Sequence, residues 1–393
     1  MKILHITNQW PLNRHPTSGI FIIRLYQNLV KYGNFEYDIF YAHKLYNKEY
    51  NIKQNIEFYY NKKKFLYLKP KYGIYLPAFG ISKYQGLNGF LAKIFLVKSI
   101  LKIIKNENIK LIHVHSALIE GNIALSIKKK IGIPYVIHIH GGDVQKYNYY
   151  DNIYKKIIYN VYFNSNGIIC NSTKAKKLIK NILGNYEKLI NVIPFGIDIN
   201  DTKKKFSINR KYYSIITVCH LRPPKNVNLL IKAVHKLNYK YNINLIIIGE
   251  GKEKPRLVEL VKKLKRENKI FFLGHKNNEY VLNELPKHDL FVLPSIEESF
   301  GMVYLEALAS GLPSIGTKGE GCEDIAKVTK AMLLVEKNDL DDLIKKIENL
   351  IVNRKNIIEL GLKGINDVMK NYNWKDIVNK YENFYLKVLK GIN

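Results

Sequence analysis

The feature that most constrains this chain is a regular alternation of short apolar runs with longer amphipathic stretches. The apolar runs are rich in Ile, Val and Leu, which is typical of strands buried on both faces of a parallel sheet. The stretches between them repeat their apolar residues at helical spacing. This alternation predicts an α/β fold with doubly wound, Rossmann-like sheets. The alternation runs through all 393 residues, which is a longer chain than one hydrophobic core usually serves. We therefore expect two domains.

The predicted elements form two sets of similar size. The strands expected in the first half are Lys2–Thr7, Tyr37–Ala42, Leu111–His115, Tyr135–His140, Gly167–Cys170 and Leu189–Ile193. Those expected in the second half are Ser214–Cys219, Asn244–Ile248, Ile270–Leu273, Leu290–Leu293, Pro313–Gly316 and Met332–Val335. Helices predicted between them include Ile20–Lys31, Val227–Lys236, Glu253–Glu267 and Gly301–Ala309. The polar, Lys-rich segment Asp198–Arg210 is the expected linker, and ligands of such folds bind beyond the carboxyl ends of the strands.

Composition narrows the class of protein. With 47% hydrophobic residues, the chain has enough apolar surface for packed cores, which excludes wholesale disorder. Its cysteines, Cys170, Cys219 and Cys322, are too far apart in sequence for a disulfide framework or a clustered metal site. The N-terminus reads as a strand rather than a signal peptide, and no apolar run is long enough to span a bilayer. We therefore expect a cytoplasmic protein.

The net charge is +30, and it is concentrated in residues 1–200, which hold 29 Lys and Arg against 10 Asp and Glu. Two explanations are open: a composition biased towards Lys, Asn, Ile and Tyr, or attraction to an anionic membrane surface or a phosphorylated substrate. Nucleic acid is disfavoured because zinc-finger, RNA-recognition and basic-zipper signatures are absent. The basic amphipathic segment Gly89–Ile104 fits a helix on a lipid surface or, as we favour, a helix that covers a sheet.

The most informative motif is Leu290–Pro313, in which a strand, a short acidic loop and a helix follow one another. Glu298 lies in the loop, and Glu306 lies about two turns into the helix. A carboxylate only accepts hydrogen bonds, so Glu306 suits the vicinal hydroxyls of a ribose and Glu298 those of a sugar ring. The start of the helix is a ready anion site. The backbone N–H groups expected to be unpaired there are those of Phe300, Gly301 and Met302.

Other loops at strand ends carry further candidates for binding a phosphorylated ligand. Gly19 precedes a helix after the first strand, but the motif G-x-G-x-x-G is missing there, which disfavours dinucleotide binding. Lys225 precedes another helix and could neutralise a phosphate, with Arg222 assisting. The next two predicted strands also end in loops with candidate residues, which include Gly249 and Glu250 after the first of them and His275 after the second.

Four histidines lie near the ends of two predicted strands. His140 is followed by two glycines and is well placed to meet a substrate, whereas His138 is expected to face the core. His113 and His115 end the neighbouring strand. Because these histidines come without a set of carboxylates, we expect no zinc site.

Taken together, these motifs resemble the retaining GT-B glycosyltransferases of family 4, which use nucleotide-sugars. The resemblance covers nearly the whole chain, and the order and spacing of its motifs are specific. The matching segments are SGIF at 18–21, HVHS at His113–Ser116, HGGD at His140–Asp143, PFGID at Pro194–Asp198, Lys225-Asn226, GEG at Gly249–Gly251, FFLG at Phe271–Gly274, the pair Glu298 and Glu306, and Trp374.

The resemblance implies a GT-B fold, in which two Rossmann-like domains face each other across a cleft. Residues 1–200 would form the acceptor-binding domain and residues 206–374 the nucleotide-sugar-binding domain. The last helix, at about 375–393, would return to the first domain.

The resemblance also implies roles for single residues. The catalytic candidates are Glu298 facing the donor sugar, His140 near the transferred ring and Lys225 on the leaving phosphates. Glu306 matches the glutamate that binds ribose, and Gly19 matches a loop near the diphosphate. The other donor-binding candidates are Arg222, Gly249, Glu250, His275, Phe300, Gly301 and Met302. One departure is His220, which stands where many members have Arg. Either Arg222 replaces that residue, or the diphosphate is held with less fixed charge.

We therefore expect retaining transfer of a hexose or N-acetylhexosamine from a nucleotide-sugar, UDP being favoured, to a glycan or lipid-linked saccharide in cell-surface polysaccharide assembly. The reaction would take place in the cytoplasm or at the inner face of the cell membrane. Neither a cofactor nor a metal is expected, because fixed cations and helix ends supply the electrostatics. Three alternatives remain: a nucleotide-sugar epimerase, a two-carboxylate glycoside hydrolase, and a non-catalytic protein that binds nucleotide-sugars.

Overall fold

A computed structural model of the chain describes residues 1–7, 9, 19–41, 96–98, 100–184, 189–197 and 211–391. Contacts within the chain define two compact units. The first unit comprises Met1–Asn171, Ala175–Ile193 and Ile377–Asn393, and the second unit comprises Ser172–Lys174 and Pro194–Asp376. The predicted linker Asp198–Arg210 lies outside the described residues.

The first unit is built on a six-stranded parallel sheet with the order β2-β1-β3-β4-β5-β6. Its strands are β1 (Lys2–Thr7), β2 (Glu36–Tyr41), β3 (Ile109–Val114), β4 (Tyr135–Ile139), β5 (Gly167–Cys170) and β6 (Ile190–Val192). The helices and helical turns that accompany them are Ile20–Tyr32, 100–106, Ala117–Gly121, Asn122–Ile131, Gly142–Gln145, Tyr147–Tyr149, Asn152–Asn164, Thr173–Leu183 and Trp374–Leu389.

The second unit repeats this plan with the strand order β12-β11-β10-β7-β8-β9, again all parallel. Its strands are β7 (Tyr213–Val218), β8 (Ile243–Ile248), β9 (Ile270–Gly274), β10 (Leu290–Val292), β11 (Ser314–Thr317) and β12 (Met332–Val335). Its helices and helical turns are Pro223–Lys225, Val227–Leu237, Lys254–Lys263, Asn278–Glu284, Leu285–Lys287, Met302–Ala309, Glu323–Ala326, Leu340–Ile351 and Arg354–Asn371.

The apolar strand residues form the core of each unit. Leu4 and Ile137 are fully buried in the first unit, as Ile215 and Leu245 are in the second. Burying both faces of a parallel strand leaves it without polar alternation, which is why the strands were visible in the sequence. All the predicted strands are present, and the α/β prediction is confirmed.

One helix ends earlier than the sequence pattern indicates. We predicted Glu253–Glu267, but the helix spans Lys254–Lys263. Lys265 has a φ of 53°, in the left-handed region that a right-handed helix cannot include. The N–H of Arg266 donates to the Val261 carbonyl at 3.1 Å and closes the helix end. The prediction for the end of this helix is therefore wrong.

The basic amphipathic segment is helical at 96–98 and 100–106, and its first residues, 89–95, lie outside the described ones. The core of the first unit contains its residues Val97, Ile100, Ile103 and Ile104. The lysines at 98, 102 and 105 are exposed. This helix therefore covers the sheet with its apolar face, which was the favoured interpretation. None of the helices in the described ranges is long and apolar enough to cross a bilayer.

The last helix, Trp374–Leu389, joins the first unit from Ile377 onwards. Its Glu382 is buried and accepts hydrogen bonds from the Asn34 N–H at 2.6 Å, the Phe35 N–H at 3.0 Å and the Tyr37 hydroxyl at 2.8 Å. Hydrogen bonds to an ionised group are stronger than neutral ones, so this carboxylate fastens the helix to the start of β2.

Candidate functional site

The candidate donor-site residues of the second unit follow the carboxyl ends of its strands. Strands β7 and β10 are neighbours in the sheet but distant in sequence, so the strand order reverses between them. Such a switch point is where open α/β sheets bind ligands. The two loops that follow these strands touch, because the Ile296 N–H donates to the Pro224 carbonyl at 2.8 Å.

Lys225 and Glu298, one from each of these loops, form an ion pair. The Lys225 ammonium lies 2.6 Å from Glu298 Oε2, and the two side chains are only 12% and 14% exposed. The Glu298 N–H donates to Glu320 Oε2 at 2.6 Å, and its carbonyl accepts from the Gly321 N–H at 3.1 Å. Glu320 was missed in the sequence, although its place just after β11 was a usable signal. Two predicted catalytic side chains are thus in direct contact.

The start of the helix Met302–Ala309 lies beside Glu298. Gly301 precedes the helix with a φ of 86°, and a Cβ there would lie 2.4 Å from the Tyr304 ring. Only glycine accepts this backbone without strain. The N–H groups of Phe300, Gly301 and Met302 donate to no other residue within the described ranges. Such amides at a helix N-terminus suit an anion.

Glu306 is buried in the second turn of the same helix. Its Oε1 accepts from the Asn278 side-chain amide at 3.2 Å. Asn278 starts the helix after β9, and the sequence analysis did not single it out. A weak signal was available, since the preceding Asn277 caps that helix by accepting the Tyr280 N–H.

The remaining predicted donor residues have other contacts. A Cβ at Gly249 would lie 1.8 Å from the Cys219 carbonyl oxygen, so this glycine allows two strand-end loops to approach each other. Glu250 is exposed and pairs with Lys254 at 2.5 Å. Arg222 and His275 are exposed at the ends of β7 and β9.

In the first unit, Gly19 and His140 lie at the ends of β1 and β4. Gly19 has a φ of 69°, and a Cβ there would lie 2.5 Å from the Gln9 carbonyl oxygen. The helix after Gly19 begins with Ile20 and carries Phe21, whose ring centre is 4.7 Å from that of His140. The two motifs therefore meet at one edge of the first sheet.

His140 belongs to a cluster of five histidines that reaches into the core on one side of the sheet. Its members are His5 from β1, His113 and His115 at the end of β3, and His138 and His140 at the end of β4. His5 is paired in register with His113. Burial lowers the pKa of His5 and of His140 to about 3 and holds the pKa of the other three well below its ordinary value. All five are therefore neutral at pH 7.

Two trios in this cluster bring their ring nitrogens within 4.8 Å of one another, His5 with His113 and His115, and His115 with His138 and His140. A metal must lie in the plane of each imidazole that binds it. The His113 and His115 rings are stacked instead, with centres 4.5 Å apart and planes 20° apart. The lone pairs of stacked rings lie in nearly parallel planes, so the first trio does not converge on a zinc ion as it stands.

Two family models match the chain: glycosyl transferases group 1 over residues 198–364, and Glycosyltransferase Family 4 over residues 57–201. A glycosyltransferase of uncharacterised specificity from Methanocaldococcus jannaschii is 30% identical over 305 residues, which span 76% of this chain and 80% of the relative. The chain belongs to glycosyltransferase family 4. The family indicated by the motifs is thereby confirmed.

Two other similarities extend this family assignment. The Escherichia coli UDP-Gal:alpha-D-GlcNAc-diphosphoundecaprenol alpha-1,3-galactosyltransferase is 27% identical over 322 residues, 74% of this chain and 79% of the relative. The solved structure of sucrose-phosphate synthase from Thermosynechococcus elongatus aligns with a TM-score of 0.79 at 17% identity, over 99% of this chain and 100% of that one. This family 4 glycosyltransferase therefore has the two-domain GT-B fold.

Proposed function

We propose that this family 4 glycosyltransferase is a retaining hexosyltransferase of cell-surface polysaccharide biosynthesis. It would transfer a hexose or N-acetylhexosamine from a UDP-sugar to a glycan or lipid-linked saccharide. The observation that carries the proposal is the ion pair of Lys225 and Glu298 beside the helix start at Met302. The E. coli relative, whose name gives UDP-galactose and a diphosphoundecaprenol-linked saccharide, supports the donor nucleotide and the acceptor class.

The groups at this site match the charges that develop during transfer. Cleavage of the bond between sugar and diphosphate places negative charge on the leaving oxygen and positive charge on the anomeric carbon. Preorganised N–H donors and an ammonium stabilise the negative charge, and the amides at 300–302 and Lys225 would supply them. Glu306 would accept hydrogen bonds from the ribose hydroxyls, with Asn278 holding its carboxylate in place.

The ion pair suggests how donor binding is coupled to the site. Lys225 and Glu298 neutralise each other in this structure, which limits the cost of their partial burial. A diphosphate would compete with Glu298 for the Lys225 ammonium. The carboxylate would then turn to the hydroxyls of the donor sugar. One exchange of partners would thus engage both ends of the nucleotide-sugar.

Retention follows when the acceptor attacks from the face that the phosphate leaves. The departing phosphate oxygen can then accept the proton of the acceptor hydroxyl, so no separate protein base is needed. Lys225 and the helix-start amides carry the electrostatic role that a divalent cation has in other transferases. We therefore propose that transfer requires neither a metal nor a cofactor.

A donor screen and three variants test this function. UDP-, GDP- and ADP-sugars are compared by thermal shift, and nucleotide diphosphate release is then measured with saccharide acceptors and a chelator. We expect Lys225→Ala and Glu298→Gln each to lower kcat by about 10²–10³-fold, the usual effect of losing one preorganised group. The matched control is Glu297→Gln, next to Glu298 but exposed, which should retain activity.

The outcomes separate the proposal from its rivals. Release of UDP with formation of an alpha-linked product supports it. Near-wild-type turnover of both Lys225→Ala and Glu298→Gln would refute the site assignment. An epimerised nucleotide-sugar formed without acceptor would indicate an epimerase, and oligosaccharide cleavage without nucleotide would indicate a hydrolase. Tight donor binding without turnover on any acceptor would leave a binding protein.

A further inference from the structure

The short segment Ser172–Lys174 is attached to the loops around the candidate donor site. By its contacts it belongs to the second unit, although the residues on either side of it in the sequence belong to the first. The Thr173 N–H donates to Asp324 Oδ2 at 2.5 Å, and the Lys174 ammonium pairs with the buried Glu320 carboxylate. These two contacts fix the backbone from which the first residue of the segment acts.

That first residue holds one peptide bond just before the helix Met302–Ala309. Ser172 is fully buried, and its hydroxyl donates to the Ser299 carbonyl at 2.6 Å. The same carbonyl oxygen is packed against Gly321, where a Cβ would lie only 2.1 Å from it. Two contacts from different parts of the chain therefore fix the direction of the Ser299 carbonyl.

A fixed carbonyl also fixes the N–H of the next residue. The peptide between Ser299 and Phe300 is planar and trans, so its C=O and N–H point in opposite directions. With the carbonyl held by Ser172 and Gly321, the Phe300 N–H points away from both of them. Among the residues that the structure describes, none accepts a hydrogen bond from this N–H. It is therefore one of the helix-start donors available to an anion.

The opposite orientation of this peptide would damage the anion site. It requires no movement of the Phe300 ring, which is buried with its centre 6.4 Å from that of Phe195 and 6.2 Å from that of Tyr372. The rotated peptide would present the Ser299 carbonyl oxygen where the N–H had been. A phosphate at the helix start would then meet the negative end of a dipole instead of a hydrogen-bond donor.

We propose that Ser172 is a positioning residue for phosphate binding, whose hydroxyl keeps the Phe300 N–H directed at the anion site of the helix start. Ser172 acts on the donor only through the peptide that it holds. Its effect on the reaction rests on the proposed function, in which this N–H stabilises the leaving phosphate. The orientation of the peptide in the free protein does not depend on that function.

One NMR signal reports this peptide alone. Ser299-Phe300 is the only place in the chain where Phe follows Ser, so deuterated protein with ¹³C at the serine carbonyls and ¹⁵N at the phenylalanine amides gives a single coupled signal. We expect Ser172→Ala to move its carbon shift to lower frequency, because the carbonyl loses a hydrogen bond. Ser172→Thr keeps the hydroxyl and should restore the wild-type shift. The matched control is Thr173→Ala, which should leave the signal unchanged, since Thr173 is exposed and contacts Asp324 through its backbone.

Addition of UDP and kinetics supply the second readout. In the wild type, UDP should move the Phe300 amide proton to higher frequency, because the N–H donates to a phosphate oxygen. In Ser172→Ala this change should be smaller. In the transfer assay we expect Ser172→Ala to lower kcat about threefold to tenfold, the usual weight of one hydrogen bond, with little change in the KM of the acceptor. Ser172→Thr should recover most of this loss.

A second variant reaches the same peptide from its other side. Gly321→Ala places a Cβ against the Ser299 oxygen, so it should also move the carbon shift, which keeps the test decisive if Ser172→Ala does not fold. An unchanged carbon shift in either variant would overturn the proposal, as would UDP that binds without moving the Phe300 proton. If the carbon shifts are as expected but UDP does not bind and no transfer is found, the proposed function fails while the held peptide stands.

Discussion

Mild acid should unfold the first unit through its buried histidines. All five have a lowered pKa in the folded protein because burial disfavours the charged form. Unfolding exposes them and returns the pKa to about 6.5. The unfolded chain therefore binds more protons below that pH, so the stability from these groups is present above pH 6.5 and lost as the pH falls.

The size of this loss follows from the unfolded pKa alone, provided that the folded pKa lies well below the pH of interest. Between pH 7.5 and pH 5.5, each such histidine costs about 1.4 kcal/mol of unfolding free energy. Five independent histidines would cost about 7 kcal/mol, a large part of the roughly 5–15 kcal/mol that stabilises a typical domain. The groups that face the cluster include the phenols of Tyr26, Tyr37, Tyr381 and Tyr385, which bring no charge to offset the added protons.

Hydrogen exchange measures this loss in each unit separately. Peptides from β3 and β4 report opening of the first unit. Peptides from β7 and β8 provide an internal control, because within residues 211–391 only His288 is a buried histidine, so the second unit should lose much less stability in acid. His138→Phe should reduce the loss between pH 7.5 and pH 5.5 by about 1.4 kcal/mol. Tyr381→Phe removes a contact of His138 without removing a group that titrates in this range, and should not change the pH dependence. A loss of less than about 2 kcal/mol in the wild-type first unit would refute the reasoning.

Two further variants test what holds other parts of the fold together. Glu382→Gln weakens four charge-assisted hydrogen bonds from residues 34–37, one of them from the Asn34 side-chain amide. It should therefore destabilise the first unit by about 2–4 kcal/mol in urea unfolding followed by hydrogen exchange, whereas the exposed Glu359→Gln should not. Equal stabilities of the two variants would contradict the role of this carboxylate. Gly196→Ala places a Cβ 2.4 Å from the Trp374 ring, so it should lower the unfolding free energy by about 1–3 kcal/mol and change the Trp374 fluorescence. The control is Gly142→Ala, whose Cβ meets no atom within 4 Å. Equal losses of stability in the two variants would contradict the packing argument.

The strands were predictable because each one is an apolar run that needs no partner to be recognised. Helix ends were less predictable than strands. The helix that ends at Lys263 does so because Lys265 has a left-handed backbone conformation, and the sequence pattern of Glu253–Glu267 does not reveal that conformation. The approximate place of the donor site was predictable for a topological reason. Loops after parallel strands share one edge of the sheet, so Lys225 and Glu298 had to lie near each other if β7 and β10 were neighbours.

What the sequence did not reveal depends on contacts between distant segments. Glu320 was missed because its partners, the Glu298 N–H and the Lys174 ammonium, are 22 and 146 residues away in the sequence. Asn278 was missed for a similar reason, since its partner Glu306 lies in another helix. His5 was overlooked because the register of β1 against β3, which pairs it with His113, cannot be read from either strand alone. Strand register therefore brings the cluster of histidines together, and no local motif in the sequence indicates it.

The predicted site residues of the two units differ in their charge state. Lys225 and Glu298 are charged and paired, so a charged donor can bind by exchanging partners with them. His140 of the first unit is uncharged at pH 7. Burial keeps this histidine neutral at pH 7, because it lowers the pKa of His140 to about 3. The same burial makes the first unit sensitive to acid, so activity lost at low pH should coincide with opening of that unit rather than with titration of His140 in the folded protein.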